Sequence, residues 1–222
     1  MSGRMPDRRP EAARFRHRDA LLEKSLPGAA LALDACALVD LSAAEALARA
    51  RQAGRIPACG EGCAVCCRQP IPLTPLEALL LIHFLRLRLG PGERAALARN
   101  LAAAQTLPVV RRACPLLLDD HCAAYAVRPL ACRRYLVLDR PCAPGEDAAA
   151  SRPGDLALPD PGLLAAALRR TLPWYARWRQ APPQDAAGPE GREEIRRFFH
   201  SVTTVIQALP WEKELAPKSG LT

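Results

Sequence analysis

Eight of the nine cysteines in this 222-residue chain lie between positions 59 and 142, in two groups. The first group is a dense C-x3-C-x2-C-C knot, and the members of the second follow one another at intervals of eight, ten and ten residues. Eight soft thiol donors form two sets of four, the number that tetrahedral zinc or an iron–sulfur cluster requires. The sequence therefore predicts a metal site built from Cys59, Cys63, Cys66, Cys67, Cys114, Cys122, Cys132 and Cys142.

The adjacent residues Cys66 and Cys67 constrain how the two sets meet. Neighbouring side chains on a helix diverge by about 100°, so two adjacent thiolates rarely close on one mononuclear ion. They suit two nearby centres or two corners of one multinuclear cluster, and we prefer two sites that share this pair. Which cysteine serves which site stays open. The ninth cysteine, Cys36, lies among apolar residues and is expected to be a small buried side chain, not a ligand.

Disulfide bonds are the competing explanation for clustered cysteines, so the compartment matters. The N-terminal residues carry many charges and no apolar run, which is a poor secretory signal. The longest apolar stretch, residues 76–89, contains His83, Arg86 and Arg88 and is too short to span a bilayer. These features predict a cytoplasmic protein without a membrane partner, and in a reducing compartment clustered cysteines are interpreted as ligands.

The formal net charge of +8 counts every cysteine as neutral. Metal ligands are thiolates, and eight thiolate charges offset by two divalent ions would lower the net charge to +4. The remaining basic excess favours a solvated surface over a nucleic-acid groove. A metal ion is therefore the expected partner, nucleic acid is not expected, and a protein partner stays open without being identified.

The composition favours helix, because Ala, Leu and Arg dominate the apolar and charged classes. We expect a mainly α fold whose helices pack around an irregular cysteine-rich metal-binding centre, with little or no sheet. The predicted regions are a basic flexible arm at 1–17, an N-terminal helical region at 18–55, the cysteine-cluster metal-binding domain at 56–148 and a C-terminal helical region at 149–222.

Start and stop signals divide these regions into helices. Thr74 can cap a helix, Pro75 suits its first position and Glu77 completes a capping box. Proline and glycine then mark where segments end. The predicted helices are 19–51 with a break at 27–28, 74 to about 90, 91–105, a short one from about 129, 160 to about 180, and 192–208.

Charged and aromatic residues surround the second cysteine group. Arg128 and Arg133 flank a thiolate, and they could donate hydrogen bonds to sulfur or form surface ion pairs. Tyr125 is expected to be a packing residue with a satisfied hydroxyl group. His121 could replace a thiol ligand, but eight cysteines already fill two sites, so we expect it to be exposed.

Together these residues resemble the YkgJ-like cysteine-cluster family, whose members carry CxxCxxCC-type knots. The resemblance comprises the first knot, a Cys-Pro-x-Leu step at 114–117, the run Cys-x2-Tyr-x2-Arg-Pro-x2-Cys-Arg at 122–133 and a closing Cys142. One departure is Ala124, since an isoleucine usually precedes the tyrosine. The resemblance covers 59 to about 145 and implies a zinc- or iron-chelating domain.

Thiolate ligation suits zinc and iron–sulfur centres alike, so zinc and iron, including an iron–sulfur cluster, both stay open. The C-x3-C-x2-C spacing also occurs in radical S-adenosylmethionine enzymes, but the alternating strands and helices that those enzymes need are missing. Flagellin lysine methylases carry a similar cysteine cluster, so an iron–sulfur-dependent protein-modifying enzyme is the alternative. No ligand motif is formed by the four histidines, and we favour a non-catalytic metal-binding protein.

Overall fold

The computed structural model describes residues 8–15, 18–60, 62–178, 180–182 and 188–215, and this part of the chain is mainly helical, as predicted. Its α-helices are α1 (Arg9–Ala12), α2 (Ala20–Ser25), α3 (Ala29–Gln52), α4 (Pro75–Arg88), α5 (Pro91–Gln105), α6 (Leu130–Arg134), α7 (Ala148–Ser151), α8 (Pro161–Thr171), α9 (Gly188–Val202) and α10 (Trp211–Leu215). None of these described helices combines the length and apolarity that crossing a bilayer would need.

The strands are β1 (Pro72–Leu73), β2 (Leu117–Leu118), β3 (His121–Cys122) and β4 (Thr204–Val205). They form two antiparallel pairs within the described residues, β1 with β4 and β2 with β3. The first pair joins the segment after the cysteine knot to the region near the C-terminal end. The second pair is a hairpin inside the cysteine segment. The expectation of little sheet is therefore confirmed.

The long helix α3 organises the fold because α8 and α6 both pack against it. One apolar cluster joins α3, α6 and α8 and includes Cys36. A larger cluster gathers α2, α4, α5, α9 and α10. The predicted arm at 1–17 is described only over residues 8–15, where α1 packs on α3 through the buried Ala12. The remainder of that arm lies outside the described residues.

The predicted start of α4 is confirmed, and it also anchors the cysteine segment. The Thr74 hydroxyl accepts from the Glu77 N–H at 3.4 Å, and the Glu77 carboxylate accepts from the Thr74 N–H at 2.7 Å. The other oxygen of Glu77 accepts from the Leu130 N–H, the first residue of α6, at 2.8 Å. Burial raises the pKa of Glu77, whose carboxylate satisfies two buried donors.

We expect Glu77→Ala to lower the free energy of unfolding by about 2–4 kcal/mol, because the Thr74 and Leu130 N–H groups lose their acceptor inside the protein. The matched control is Glu93→Ala, which removes the equivalent hydrogen bond to the Gly90 N–H at the exposed start of α5. That control should cost about 1 kcal/mol or less. Urea denaturation measures both values, and equal losses would contradict the role assigned to Glu77.

Two predicted helix ends are wrong. The helix that begins after Asp160 was expected to reach about residue 180, but α8 ends at Thr171. Pro173 lacks an N–H and turns the chain into a short 3-10 helix, Leu172–Tyr175. The helix expected at 192–208 is α9, which ends at Val202. The next residues are β-branched, and β4 pairs there with β1, so a tertiary contact overrides helix continuation.

Aromatic side chains from the C-terminal region pack inward. Tyr175, Phe198 and Phe199 are buried and meet edge to face with ring centroids 5.2–5.4 Å apart. The Tyr175 hydroxyl accepts from the Leu76 N–H at 3.2 Å, so this cluster fixes the first turn of α4. The aromatic cluster therefore stabilises α4, the helix whose Glu77 binds the cysteine segment at Leu130.

Candidate metal centre

The cysteine knot ends in a short 3-10 helix, Cys66–Arg68, that brings two thiols side by side. The Cys66 side chain hydrogen-bonds to that of Cys67, and this contact together with burial raises the pKa of Cys66. The carbonyl group of Cys67 accepts from the Cys114 N–H at 2.6 Å. The predicted Cys66–Cys67 pair therefore lies where the first and second cysteine groups meet.

A tight hairpin positions two cysteines of the second group. Asp119 and Asp120 connect β2 to β3 with φ values of 47° and 59°, the left-handed backbone that a two-residue hairpin turn requires. This turn sets Cys122 opposite Leu117. The Leu117 N–H donates to the Cys114 carbonyl group at 3.2 Å, which ties the hairpin back to the preceding cysteine. The two adjacent aspartates therefore form the turn that positions Cys122.

The short helix α6 carries Cys132 and is held on two sides. On one side Glu77 of α4 accepts from its first N–H group, as described above. On the other side Arg133, which is 1% exposed, forms an ion pair with Asp40 of α3 at 2.6 Å. Arg133 also donates to the carbonyl groups of Ala126 and Arg128. These contacts fix the position of α6 and with it that of Cys132.

The first part of the knot is held by a strand-like contact with the segment after α6. The Ala58 N–H donates to the Val137 carbonyl group at 2.8 Å, and Pro57 forms a bridge with Leu138. The Val137 N–H donates in turn to the Cys59 sulfur at 3.2 Å. An N–H group directed at sulfur stabilises a thiolate, as expected for an outer partner of a metal ligand.

A guanidinium organises the loop around Cys142. Arg152 donates to the Cys142 sulfur at 3.7 Å and to the carbonyl group of Arg140 at 3.1 Å. It is held by ion pairs with Glu146 at 2.8 Å and with Asp155 at 3.0 Å. These contacts lower the pKa of Glu146 to about 2, with its hydrogen bond to Arg152 as the main cause.

The loop of Cys142 also contacts the knot. Gln69, directly after the 3-10 helix of the knot, donates from its side-chain amide to the Glu146 carbonyl group at 2.8 Å. Because Glu146 accepts from Arg152, one chain of contacts connects the end of the knot to the closing cysteine. The loop therefore lies against the knot without regular secondary structure.

Six thiols fall into two groups of electrostatic neighbours. We call Cys59, Cys63 and Cys142 the outer triad, because a negative charge on Cys63 raises the pKa of the other two thiols. We call Cys114, Cys122 and Cys132 the inner triad, since a negative charge on Cys122 raises the pKa of the other two thiols. Burial is the main cause that raises the pKa of Cys59 and Cys142 in the outer triad and of the three thiols in the inner triad, to about 12 for Cys132. A negative charge on Cys66 likewise raises the pKa of Cys59 in the outer triad and of Cys114 in the inner triad.

The donor set fits a thiophilic metal. All nine cysteines carry free thiols, so no disulfide competes for the eight candidates. Within the described residues, however, no three His, Cys, Asp or Glu side chains are close enough together to hold an ion. The thiols are thus gathered as neighbours without a closed coordination sphere. Zinc or an iron–sulfur centre would use this donor chemistry once the side chains approach one another.

The side chains expected around the second group behave differently from one another. Tyr125 is 64% exposed, so the expected packing role is wrong, and its ring instead lies under the Arg128 guanidinium at 4.0 Å. Arg133 forms a buried ion pair instead of a surface one, and the thiol that it reaches is that of Cys36. His121 is exposed, as expected. Cys36 itself is buried in the α3 cluster, where burial raises its pKa to about 11.

Sequence reasoning missed two residues that support the site. Arg152 reaches Cys142 although ten residues separate them, and its only sequence signal was a nearby pair of acidic residues. Asp40 neutralises Arg133 from 93 residues away, and a lone acidic residue inside a helix gives no such signal. Both roles arise from long-range packing.

Comparison with known proteins gives one match. Residues 58–143 match the CxxCxxCC family model, which is described as a "putative zinc- or iron-chelating domain". The matched segment contains all eight candidate cysteines, and it supports metal binding by this part of the chain. Neither the curated proteins nor the solved structures gave a match.

Proposed function

We propose that this chain is a cytoplasmic, non-catalytic metal-binding protein that holds zinc or an iron–sulfur cluster through eight cysteines. The eight are the outer triad, the inner triad and the Cys66–Cys67 pair. The metal-binding domain is proposed to span residues 56–148, with helical regions on either side. In this proposal the bound metal mainly stabilises the structure, because its ligands come from segments that are far apart in the sequence.

The observation that carries this proposal is the arrangement of free thiols from distant segments around the Cys66–Cys67 pair. The outer triad combines residues 83 positions apart in the sequence, from Cys59 to Cys142. The inner triad joins a hairpin to α6. Thiols that lack disulfides and receive N–H or guanidinium donors are suited to bind metal as thiolates.

Anaerobic purification of the full chain, followed by metal and acid-labile sulfide analysis, tests the proposal. Two zinc ions per chain without sulfide would support two zinc–thiolate sites. Iron with acid-labile sulfide would support an iron–sulfur centre in the same ligands. A chain that retains neither metal, and that binds neither zinc nor iron when it is supplied, would refute the proposal.

We predict that the apparent zinc affinity rises with pH. Burial raises the pKa of the Cys59 and Cys122 thiols, and that of Cys132 to about 12, so these groups are protonated at neutral pH without metal. Binding as thiolate must release those protons, and lower pH therefore favours the metal-free form. Competition titrations at several pH values should show about a tenfold gain per pH unit for each proton released, whereas a constant affinity would contradict thiolate ligation.

We predict that Cys66→Ser lowers the bound metal and destabilises the fold, because Cys66 is the electrostatic neighbour of both triads. The matched control is Cys36→Ser, which replaces the buried cysteine of the α3 cluster and should keep the full metal content. Elemental analysis of both purified variants measures the difference. Equal metal loss in the two variants would show that the cysteines have been divided wrongly between ligand and core.

A further inference from the structure

The two triads differ in how they are embedded. Cys114 is 7% exposed and belongs to the larger apolar cluster, and Cys122, Cys132 and Cys67 pack against that cluster. In the outer triad, Cys63 is exposed and Cys59 and Cys142 are half-buried. Cys63 lies in the loop between Cys59 and the 3-10 helix, whereas Cys132 lies on a helix. Cys122 and Cys132 are also half-buried, but they pack against the core around the buried Cys114, whereas the outer triad includes the exposed Cys63.

The supports of the two triads differ in the same sense. The inner triad is fixed by backbone hydrogen bonds, by Glu77 and by the buried Arg133–Asp40 ion pair. The outer triad is held by the Val137 N–H group at Cys59, by Arg152 at Cys142 and by the Ala58–Val137 backbone hydrogen bond. Arg152 is itself buried, so the difference between the triads lies at Cys63, which is exposed in its loop. A metal at the outer triad is therefore easier to reach and easier to release.

The two members of the Cys66–Cys67 pair have different neighbours, so each can be assigned to one triad. Cys67 packs on the larger apolar cluster, and its carbonyl group accepts from the Cys114 N–H at 2.6 Å, which ties it to the inner triad. Cys66 contacts the Cys67 side chain and is an electrostatic neighbour of Cys59 and Cys142. It is also a neighbour of the inner triad, so it lies at the junction.

We infer that the chain has two inequivalent metal positions. Cys67, Cys114, Cys122 and Cys132 retain one ion as part of the fold, whereas Cys59, Cys63, Cys66 and Cys142 hold a second ion that exchanges with thiol-bearing acceptors. This inference rests on the proposed function and deepens it. In the exchange, the acceptor sulfur–metal bond forms as the Cys63 sulfur–metal bond breaks. The proton of the acceptor thiol passes to Cys63, so charge and atoms balance.

The test is the release of zinc from the zinc-loaded full chain to a chromogenic chelator in the presence of reduced glutathione. One equivalent should leave at least about tenfold faster than the other, because its ligand Cys63 is exposed to the incoming thiol whereas Cys114 is buried. Cys63→Ser should bind one ion fewer, lose the fast phase and keep the slow one. Cys122→Ser should lose the slow phase and unfold more easily.

Release of both equivalents in one phase would overturn the inference and leave the proposed function intact. So would loss of both ions from Cys63→Ser, or a single sulfide-containing cluster in the purified chain. Failure of the wild-type chain to bind zinc or iron would overturn both. Cys63 is exposed, so its replacement does not disturb the core, and the inference can be tested even if Cys122→Ser does not fold.

Discussion

Removal of the metal is expected to lower the free energy of unfolding by up to about 10 kcal/mol, the scale that structural zinc contributes to small domains. The reason is that residues 114–142 contain little regular structure: β2 and β3 are two residues long each, and α6 has five residues. Most of the other residues in this segment lie in turns, a 3-10 helix or irregular loops. In the proposed function, ligation by the inner triad supplies the missing constraint.

The effect should be local before it is global. Urea denaturation with and without a chelator measures the change in stability, and hydrogen exchange locates it. We expect faster exchange across the hairpin and α6 after chelation, while the central turns of α3, packed against α8, stay protected. Zinc added back should restore both signals, and a zinc-saturated chelator is the control. An unchanged denaturation midpoint would show that the metal is not structural.

Replacement of Arg133 by methionine is expected to lower the free energy of unfolding by about 3–5 kcal/mol. The side chain is 1% exposed, and its loss would leave the Asp40 carboxylate without its partner in a half-buried position. The carbonyl groups of Ala126 and Arg128 would lose a donor as well. Because α6 carries Cys132, we also expect weaker metal retention by the inner triad.

The neighbouring Arg134 offers a matched control, since it has the same charge on the same helix but is exposed. Arg134→Met should change the stability by about 0.5 kcal/mol or less. The double variant Arg133→Met with Asp40→Leu should recover part of the loss, because removing both charges removes the uncompensated one. Comparable urea midpoints for Arg133→Met and Arg134→Met would contradict the structural role of the buried ion pair.

Features that depend on neighbouring residues were predictable. The start of α4 follows from Thr74, Pro75 and Glu77, because a helix end is capped by side chains within one turn. The hairpin turn before Cys122 follows from two adjacent aspartates, which tolerate positive φ. The end of α9 did not follow, since β1 lies about 130 residues away and its pairing with β4 competes with the helix.

The residues alone specify the candidate ligands. Eight clustered thiols supply the donors that a soft metal needs, and donor chemistry belongs to the side chain. The packed fold specifies how those thiols are grouped, with Cys142 beside Cys63 and Cys122 beside Cys132. It also brings Arg152 to Cys142 and buries Arg133 against Asp40. These residues are far apart in the sequence, and the loops between them close only when the whole core packs. No local sequence pattern therefore predicts their contacts.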